Sequence, residues 1–380
     1  MRKTLLITTE FPPQVGGVGN FLFNLTRHFP SDKLVIIAKN NDSSELLGIH
    51  KTYRTNFVTT VPFIWPRWLP LFFYVLRIIK KEKIQCLLIG QILPLGTIAL
   101  LINKVLKIPY FLFTYGLDLT MHSQQSRKGK LVKRIIANSE KILTISKFTK
   151  NLLIGLQTKE KKIIFVYPCA AIQPSSITLL DKKLVINEYN PQGKRIILTV
   201  GRLVERKGHD QVIKSMPAIL KKIPEAVYLI AGLGPRLNYL KNLVVSLGLS
   251  NSVRIIERNL DNQAVGNLYN IAELFVMPAR ELRHGDGTIY DAEGFGIVFL
   301  EANLFNLPVI GGRSGGQADA IEDGHSGLLV NPFNIQEISQ TIIKLLTDKT
   351  LASQLASYGQ KRAASQFRWV DQAQKIIELL

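Results

Sequence analysis

The sequence contains little cysteine, few acidic residues and no long unbroken apolar run, and each shortage excludes a class of protein. Two cysteines in 380 residues, Cys86 and Cys169, cannot form a disulfide scaffold, and both lie in apolar surroundings, as expected in a reducing cytosol. Hydrophobic residues make up 46% of the chain and charged residues 20%. That balance excludes disorder as the main state, and the length predicts about two globular domains.

No segment reads clearly as a signal peptide or a membrane span. The apolar run after Met1 ends at Glu10 and is too short for a signal peptide. Residues 86–103 carry no charge, but glycines and a proline divide them into a short strand and a later helix. Residues 61–83 allow two interpretations: a segment lying in a lipid interface, or a buried helix beginning near Leu69.

The scarcity of acidic residues leaves a net charge of +20, and that excess is uneven. Residues 1–190 contain 27 Lys and Arg against 10 Asp and Glu, whereas residues 191–380 contain 21 against 18. The excess suggests a polyanionic partner for the first half, either nucleic acid, an acidic membrane surface or a phosphate-bearing substrate. A merely solvated basic surface is the alternative. No nucleic-acid-binding motif accompanies the basic residues, so we expect no nucleic-acid partner.

Short apolar runs alternate with longer periodic segments along the whole chain, which is typical of βα units and parallel sheets. An irregular stretch over residues 171–193 interrupts this alternation. We therefore predict an α/β architecture of two Rossmann-like domains, over residues 1–180 and 181–366. Ligands of such sheets bind at the carboxyl ends of the strands, here in a cleft between the domains.

Glycine and cationic residues follow strand candidates in both halves. Gly16 and Gly17 suit a close backbone approach to a ligand, although a third glycine of the dinucleotide fingerprint is absent, and a tight turn without a ligand is the alternative. In the second half, Arg202 and Lys207 lie in a loop that precedes a helix. Two cations beside a helix N-terminus favour a diphosphate, with solvated surface cations as the alternative.

Two carboxylates eight positions apart form the most specific pattern in the chain. Glu293 lies in a glycine-flanked loop, and Glu301 lies one or two turns into the helix that follows. Because no His or Cys accompanies them, they suggest recognition of hydroxyl groups more than a metal site. Solvated acids at a helix start are the alternative. Upstream, Gly232 and Gly234 join a strand to a helix and would allow a nucleotide to lie against the backbone.

These motifs resemble glycosyltransferase family 4 in their order along the chain. The matching patterns are G-G-x-G, G-R-L-x-x-x-K-G, G-x-G-P, E-G-F-G-I-V-x-L-E-A and G-G-x-x-D-x-I-x-D-G-x-x-G-x-L-V. The resemblance covers essentially the whole chain and is strongest over 196–332. It implies the GT-B fold, in which two Rossmann-like domains face each other across a deep cleft, and a C-terminal helix, 367–380, that crosses back to the N-terminal domain. It also implies transfer with retention of anomeric configuration.

The resemblance assigns roles to individual residues of the donor site. Arg202 and Lys207 would hold the donor diphosphate, Glu293 the hexose and Glu301 the nucleotide ribose, while Arg258 lies in the region where the base rests. The glycine-rich loops supply the rest of the expected donor-binding set: Gly16, Gly17, Gly232, Gly234, Gly294, Phe295, Gly296 and Ile297. The N-terminal domain would then bind the acceptor and the C-terminal domain the donor.

One departure from the family pattern affects the acceptor side. Many relatives have a His-Gly pair where this chain has Tyr115 followed by glycine. Tyr115 can hydrogen-bond the hexose, but a phenol is a poor base at neutral pH. Asp118 is the better candidate for an acceptor-side base, and His122 is a further acceptor-side candidate that also fits an ordinary loop residue.

The resemblance favours a front-face mechanism, in which Arg202 and Lys207 stabilise charge on the leaving diphosphate; nucleophilic attack by Glu293 is the alternative. The chain contains no Asp-x-Asp triplet, which argues against the metal-dependent GT-A class, so we expect no metal and no cofactor beyond the nucleotide-sugar co-substrate. A sugar-nucleotide epimerase of the same fold and a non-catalytic carbohydrate- or lipid-binding relative are the competing interpretations.

The loop Arg280–Glu293 looks like that of bacterial mannosyltransferases that act on phosphatidylinositol mannosides and lipid-linked glycans. It favours GDP-mannose as donor, with a UDP-hexose next, and a lipid-linked or glycan acceptor in envelope polysaccharide or glycolipid synthesis. The basic first half then predicts a cytoplasmic protein attached peripherally to the anionic inner face of the plasma membrane.

Overall fold

The computed structural model describes residues 1–12, 16–40, 49–58, 65–121, 125–174, 185–189 and 194–380. The described chain forms two compact units. The first contains Met1–Pro168 together with Trp369–Leu380, and the second contains Cys169–Arg368.

The first unit is built on a parallel sheet. Its strands are β1 (Thr4–Thr8), β2 (Leu34–Lys39), β3 (Lys51–Thr55), β4 (Cys86–Ile89), β5 (Tyr110–Thr114), β6 (Lys141–Thr144) and β7 (Ile163–Phe165). Over the described residues these seven strands have the order β3-β2-β1-β4-β5-β6-β7. Every residue of β1, β4 and β5 is buried, because helices cover both faces of a parallel sheet. The carboxyl ends of β1 and β5 therefore lie at the same edge of this unit.

The helices of this unit follow the strands in βα succession. They are α1 (Gly17–Thr26), α2 (Leu69–Glu82), α3 (Thr97–Leu106), α4 (Leu117–Thr120), α5 (Arg127–Asn138) and α6 (Lys147–Gly155), with short helical turns at Ile92–Gly96 and Glu160–Lys162. The uncharged segment 86–103 thus divides into β4 and α3, as the sequence predicts. Over the parts of the chain that the structure describes, no helix combines the length and apolar character needed to cross a membrane.

Helix α2 covers most of residues 61–83, for which the sequence allows two interpretations. The helix begins at Leu69 and buries Leu71, Val75, Ile78 and Ile79, a spacing that places all four side chains on one face. These residues join the core of the first unit. Residues 61–64 lie outside the described ranges. One face of the helix is therefore buried, as the buried-helix interpretation predicts, and the opposite face is exposed.

The second unit repeats the parallel arrangement. Its strands are β8 (Arg195–Val200), β9 (Ala226–Ala231), β10 (Val253–Ile256), β11 (Leu274–Met277), β12 (Leu282–Arg283), β13 (Ile289–Asp291), β14 (Val309–Gly312) and β15 (Leu328–Val330). Six of them, as described, form a sheet in the order β10-β9-β8-β11-β14-β15, and β12 pairs with β13 as an antiparallel hairpin. The hairpin projects from the carboxyl end of β11, where ligands of parallel sheets bind.

The helices of the second unit cover both faces of its sheet. They are α7 (His209–Leu220), α8 (Leu237–Ser246), α9 (Asn262–Ile271), α10 (Ile297–Leu304), α11 (Gln317–Ala320), α12 (Ile335–Thr347) and α13 (Lys349–Gln366), with short helical turns at 185–189 and Glu205–Lys207. The core beneath them is aliphatic and includes Ile213, Ile230 and Ile342, each with no exposed surface.

The last helix, α14 (Trp369–Leu379), belongs to the first unit. The Trp369 ring lies 5.8 Å from the Phe21 ring of α1, and the backbone N–H of Arg2 donates to the carbonyl oxygen of Leu380 at 2.8 Å. The predicted pair of Rossmann-like domains and the predicted return of the C-terminal helix are both confirmed.

Candidate functional site

The predicted donor residues of the second unit lie in loops at the carboxyl ends of its strands. Arg202 and Lys207 follow β8, Gly232 and Gly234 follow β9, and Arg258 follows β10. Because the strands are parallel, these loops emerge at one edge of the sheet.

The loop after β8 holds Lys207 in a buried turn. Lys207 ends the helical turn Glu205–Lys207, and only 8% of its surface is exposed. The next residue, Gly208, has a φ of 75°, and a Cβ there would lie 2.3 Å from the carbonyl oxygen of Pro278. Only glycine fits this position without displacing the backbone that follows β11. Lys207 is therefore positioned by close packing between two loops.

The side chain of Lys207 pairs with Glu293, and this pair is the centre of the candidate site. Its Nζ lies 2.7 Å from Oε2 of Glu293. Arg206 contacts the same oxygen through Nε at 3.5 Å and Asp291 through a terminal nitrogen at 3.2 Å. Two cations and two carboxylates from the ends of β8 and β13 thus form one network. The structure brings Lys207 and Glu293 into contact, which their separate sequence motifs did not predict.

Glu293 remains ionised within this network. Burial alone would raise the pKa of its carboxyl, but the ammonium of Lys207 and the guanidinium of Arg206 outweigh burial and hold that pKa below its ordinary value. Arg206 is affected in the complementary way: burial disfavours its charge, yet Glu293 and Asp291 raise its pKa. A carboxylate held by two cations accepts hydrogen bonds well and is a weak nucleophile.

The loop that carries Glu293 is clamped against a second glycine loop. The N–H of Gly316 donates to the carbonyl oxygen of Glu293 at 2.8 Å, and a Cβ at Gly316 would lie 2.0 Å from the carbonyl oxygen of Gly294. Phe295 is buried, and Gly296 precedes the first residue of α10, Ile297. The predicted hexose-binding loop is thus held at a helix N-terminus, where backbone N–H groups favour polar or anionic ligands.

Glu301 is buried one turn into α10 and forms a separate site. Its Oε2 accepts a hydrogen bond from the Tyr269 hydroxyl at 3.2 Å, and its Oε1 accepts one from the N–H of Ala171 at 3.4 Å. Burial raises the pKa of this carboxyl, although these two hydrogen bonds and one from the backbone of Ile172 oppose that effect. Glu301 thus combines a partly satisfied carboxylate with the freedom to accept further hydroxyl donors.

Two predicted cations lie outside the Lys207–Glu293 network. Arg202 is exposed, and its guanidinium has no ion-pair or hydrogen-bond partner within the described ranges. Arg258 is exposed and pairs with Glu188 at 2.5 Å, and its guanidinium also donates to the Tyr189 hydroxyl. Gly232 supports this edge through packing, since a Cβ there would lie 2.0 Å from the carbonyl oxygen of Gly201.

The acceptor-side residues of the first unit form their own cluster after β5. The N–H groups of Tyr115 and Gly116 donate to Oδ1 of Asp118 at 3.0 Å and 2.9 Å. Oδ2 of Asp118 and the hydroxyl of Tyr115 are buried, and neither has a hydrogen-bond partner among the described residues. Burial raises the pKa of Asp118 to about 6, against the effect of the backbone N–H groups. Asp118 therefore closes this loop and keeps one oxygen unengaged.

Glu10, after β1, belongs to the same cluster. Burial raises the pKa of the Tyr115 phenol far above its ordinary value, and the charges of Asp118 and Glu10 raise it further. Burial also raises the pKa of Glu10. A Cβ at Gly16 would lie 3.1 Å from Oε2 of Glu10, whereas Gly17 is exposed. Tyr115 thus remains a neutral donor. His122 lies outside the described residues.

Sequence reasoning missed four residues of these clusters: Arg206, Asp291, Tyr269 and Glu10. Arg206 precedes Lys207 directly, and Asp291 lies two positions before Glu293 at the end of β13, where alternate residues share a face. The adjacent cations Arg206 and Lys207 and the D-x-E pair of Asp291 and Glu293 could therefore have indicated both missed residues. Nothing local marks Tyr269, because its pairing with Glu301 depends on how α9 and α10 pack.

Comparison with known families decides the identity of the chain. A family model described as Glycosyltransferase Family 4 matches residues 15–172, and one described as Glycosyl transferases group 1 matches residues 181–362. The chain belongs to glycosyltransferase family 4. It is thus an enzyme that transfers a sugar from a nucleotide-sugar donor, in a family of retaining hexosyltransferases.

Individual relatives align over the full length of this family 4 chain. The GDP-mannose-dependent monoacylated alpha-(1-6)-phosphatidylinositol monomannoside mannosyltransferase of Corynebacterium glutamicum is 27% identical, covering 100% of this chain and 98% of that protein. A GDP-mannose-dependent alpha-(1-6)-phosphatidylinositol monomannoside mannosyltransferase of Mycolicibacterium smegmatis is 24% identical, covering 99% and 97%. The crystal structure of Anabaena HepE with UDP and glucose has a TM-score of 0.81 at 16% identity, covering 100% and 99%. The fold is therefore GT-B.

Proposed function

We propose that this family 4 enzyme transfers mannose from GDP-mannose to a lipid-linked or membrane-associated acceptor, with retention of anomeric configuration. The buried Lys207–Glu293 pair carries the proposed transfer from a nucleotide-diphosphate sugar, because it combines a positioned cation with an ionised carboxylate at the carboxyl edge of the sheet. GDP-mannose and a lipid-linked acceptor are inferred from the mannosyltransferases of Corynebacterium glutamicum and Mycolicibacterium smegmatis, to which the chain is similar. A glucose-type hexose from a UDP donor is the second candidate for the same site.

The diphosphate is assigned to Arg202 and Lys207. Both precede α7, whose N-terminus adds a favourable dipole for an anion. Arg202 is exposed, so it can turn to the ligand without breaking an ion pair among the described residues. Lys207 exchanges part of its contact with Glu293 for a phosphate oxygen. The two cations then stabilise the charge that develops on the leaving diphosphate as the bond between the sugar C1 and oxygen breaks.

The hexose is assigned to Glu293 and to the backbone of Gly294, Phe295, Gly296 and Ile297. Glu293 accepts hydrogen bonds from sugar hydroxyls, for which its depressed pKa suits it. Its two cationic partners make it a poor nucleophile, which supports the front-face path. In that path the acceptor oxygen bonds to C1 on the face that the diphosphate leaves, as the bond from C1 to the diphosphate oxygen breaks, and the acceptor proton passes to the acceptor-side base.

The nucleotide is assigned to residues farther along the same edge. Glu301 accepts from the ribose hydroxyls, Gly232 and Gly234 allow the nucleotide to approach the backbone, and Arg258 lies beside the base. Gly16 and Gly17, in the first unit, allow a ligand to approach the backbone after β1.

The acceptor is assigned to the first unit, with Asp118 as its base. The pKa of Asp118, about 6, leaves the carboxylate mainly ionised at neutral pH while keeping it basic enough to draw on an acceptor hydroxyl. Tyr115 is assigned as a neutral hydrogen-bond donor on the acceptor side, since its phenol stays protonated. His122 remains a further candidate on this side.

The exposed face of α2 supports attachment to an anionic membrane. On this helix Phe73 is 61% exposed, and Arg77 and Lys80 are exposed farther along it; Trp65, which precedes the helix, is 83% exposed. Aromatic and basic side chains on one surface suit the headgroup region of the inner leaflet, where anionic lipids attract cations. Helix α5 adds a second basic surface that contains no acidic residue. These surfaces support the prediction of peripheral attachment to the inner face of the plasma membrane.

Donor preference tests the proposal directly. Thermal-shift measurements with GDP-mannose, UDP-glucose and an ADP-sugar at equal concentration should give the largest stabilisation with GDP-mannose, because the ligand with the lowest Kd stabilises the folded state most. Incubation with the donor alone separates transfer from epimerisation: an isomerised sugar nucleotide would support an epimerase and contradict the proposal. The matched control is Lys207→Met, which should lose most of the shift.

A further inference from the structure

A depression of about 680 Å³ lies in the second unit outside the residues assigned to the donor. It forms where loops after β8, β11, β14 and β15 meet the β12–β13 hairpin. Its main lining side chains are Glu205, Glu281, Arg283, Tyr290, Arg313 and Phe333. The volume lies within the range of small-ligand sites, and none of these residues has a role in the donor site.

Two aromatic rings line this depression and are held in place by neighbouring groups. Tyr290 is 42% exposed and Phe333 is 61% exposed, so both offer apolar surface to a ligand. The His284 ring lies 4.7 Å from the Tyr290 ring, and the Arg280 guanidinium lies 5.8 Å from the centre of the Phe333 ring. Exposed aromatic rings that neighbouring side chains hold in place suit the apolar face of a flat ligand.

The charged groups around the rings nearly balance each other. Arg283 pairs with Glu281, and Arg313 pairs with Glu337 at 3.6 Å. The buried Arg280 pairs with Asp210 at 3.2 Å and with Glu205 at 3.6 Å. A site for an anion would present unpaired cations instead. Carboxylate oxygens and guanidinium N–H groups side by side can accept from and donate to several hydroxyls at once. A neutral polyhydroxyl ligand fits this combination better than a phosphate or a carboxylate.

We propose that the depression is a subsite for a neutral sugar residue, held between Tyr290 and Phe333. It adjoins the proposed hexose site through Arg206, which follows Glu205 and contacts Glu293. The sugar can come from the acceptor's own glycan or from a free saccharide. The assignment of this sugar to the acceptor glycan rests on the proposed function. The binding of a saccharide at the depression does not depend on the proposed function.

Binding is measured without a donor, by saturation-transfer NMR titration with α-1,6-mannobiose and mannotriose. Phe333→Ala and Tyr290→Ala should each weaken binding about three- to tenfold, and Phe333→Tyr, which keeps the ring, should retain it. Tyr239→Ala is the matched control, because Tyr239 is also 42% exposed on the same unit and does not line the depression. Its binding should equal that of the wild type.

Absence of saccharide binding, equal binding in all variants, or binding of inorganic phosphate in place of the saccharide would each overturn the subsite. GDP affinity, measured in parallel, tests the donor site separately and should be the same in all four variants. A rise in the apparent KM for a lipid-extract acceptor in Phe333→Ala would identify the sugar as part of the acceptor glycan. An unchanged KM, with weaker mannotriose binding, would identify a free saccharide as the ligand.

Discussion

Replacing Lys207 by methionine separates its structural role from its catalytic one. Methionine keeps much of the length of lysine but removes the ammonium that lies 2.7 Å from Glu293. The carboxylate would then keep one cationic partner, Arg206, at the longer distance of 3.5 Å. The Glu293 side chain is only 13% exposed, so water cannot fully replace the lost contact with the ammonium.

The expected loss of stability follows from that geometry. Breaking a buried ion pair costs about 3–5 kcal/mol, and because Arg206 retains part of the interaction we expect about 2 kcal/mol. For a domain of this size, that corresponds to a fall in Tm of about 4–8 °C. The pKa of Glu293 is depressed in the wild type, so its contribution to stability is present above about pH 4.5 and is lost as the pH falls. The difference between wild type and variant should therefore shrink below that pH.

The double variant Lys207→Met with Glu293→Gln leaves no uncompensated carboxylate. Its stability should return to within about 1 kcal/mol of the wild type, since replacing a whole buried pair is far less costly than breaking one. Its activity should not return. Loss of one positioned cation at the diphosphate should slow transfer at least about 100-fold in both variants.

Calorimetric unfolding and nucleotide release from GDP-mannose with a lipid extract measure the two effects. Lys222→Met is the control and should change neither, because Lys222 is an exposed lysine just after α7. Transfer near the wild-type rate in Lys207→Met would refute the diphosphate assignment. A double variant less stable than the single one would refute the account of the pair.

Three further predictions follow from individual residues. Because the pKa of Asp118 is about 6, transfer should rise with pH, approaching tenfold per unit well below pH 6, and should level off above about pH 7. Asp118→Asn, which retains Oδ1, should lose this rise, and an unchanged profile would exclude Asp118 as the base. Gly208→Ala should lower the free energy of unfolding by at least about 2 kcal/mol. Gly324→Ala should lower it less, because Gly324 has a similar φ of 78° but no atom near its Cβ. Equal losses would show that contact with Pro278 is unimportant. Replacing Arg77 and Lys80 by glutamine should weaken binding to phosphatidylserine vesicles about fivefold per charge. The same change at Lys221 and Lys222 should leave binding unchanged. Equal effects would count against α2 as the membrane face.

The parallel sheets could be predicted because their strands are buried on both faces and appear in the sequence as short apolar runs. Strand β5 is an example, with every residue from Tyr110 to Thr114 buried. Strand β3, Lys51–Thr55, could not be predicted in this way, because it lies at the sheet edge and its residues are exposed or half-buried. Its pairing with β2 depends on backbone hydrogen bonds, which leave no apolar signal in the sequence.

The candidate site could be predicted only where glycine spacing marks it. The loops around Lys207 and Glu293 are evident in the sequence, but their ion pair depends on the β12–β13 hairpin, a short polar element without clear periodicity. Likewise, Asp118 was identifiable as an acid near a strand end, whereas its unengaged oxygen and its raised pKa depend on burial beside Tyr115. Pairings across distant segments need the tertiary structure.

Transfer of labelled sugar tests the central claim most directly. The wild type and Lys207→Met would be incubated with GDP-[14C]mannose and a bacterial lipid extract, and the organic and aqueous phases would be counted and resolved. The wild type should move label into the organic phase, attached through a linkage of retained anomeric configuration, and the variant should do so at least about 100-fold more slowly. Label that stays with the nucleotide as an isomerised sugar, or equal transfer by both proteins, would contradict the account.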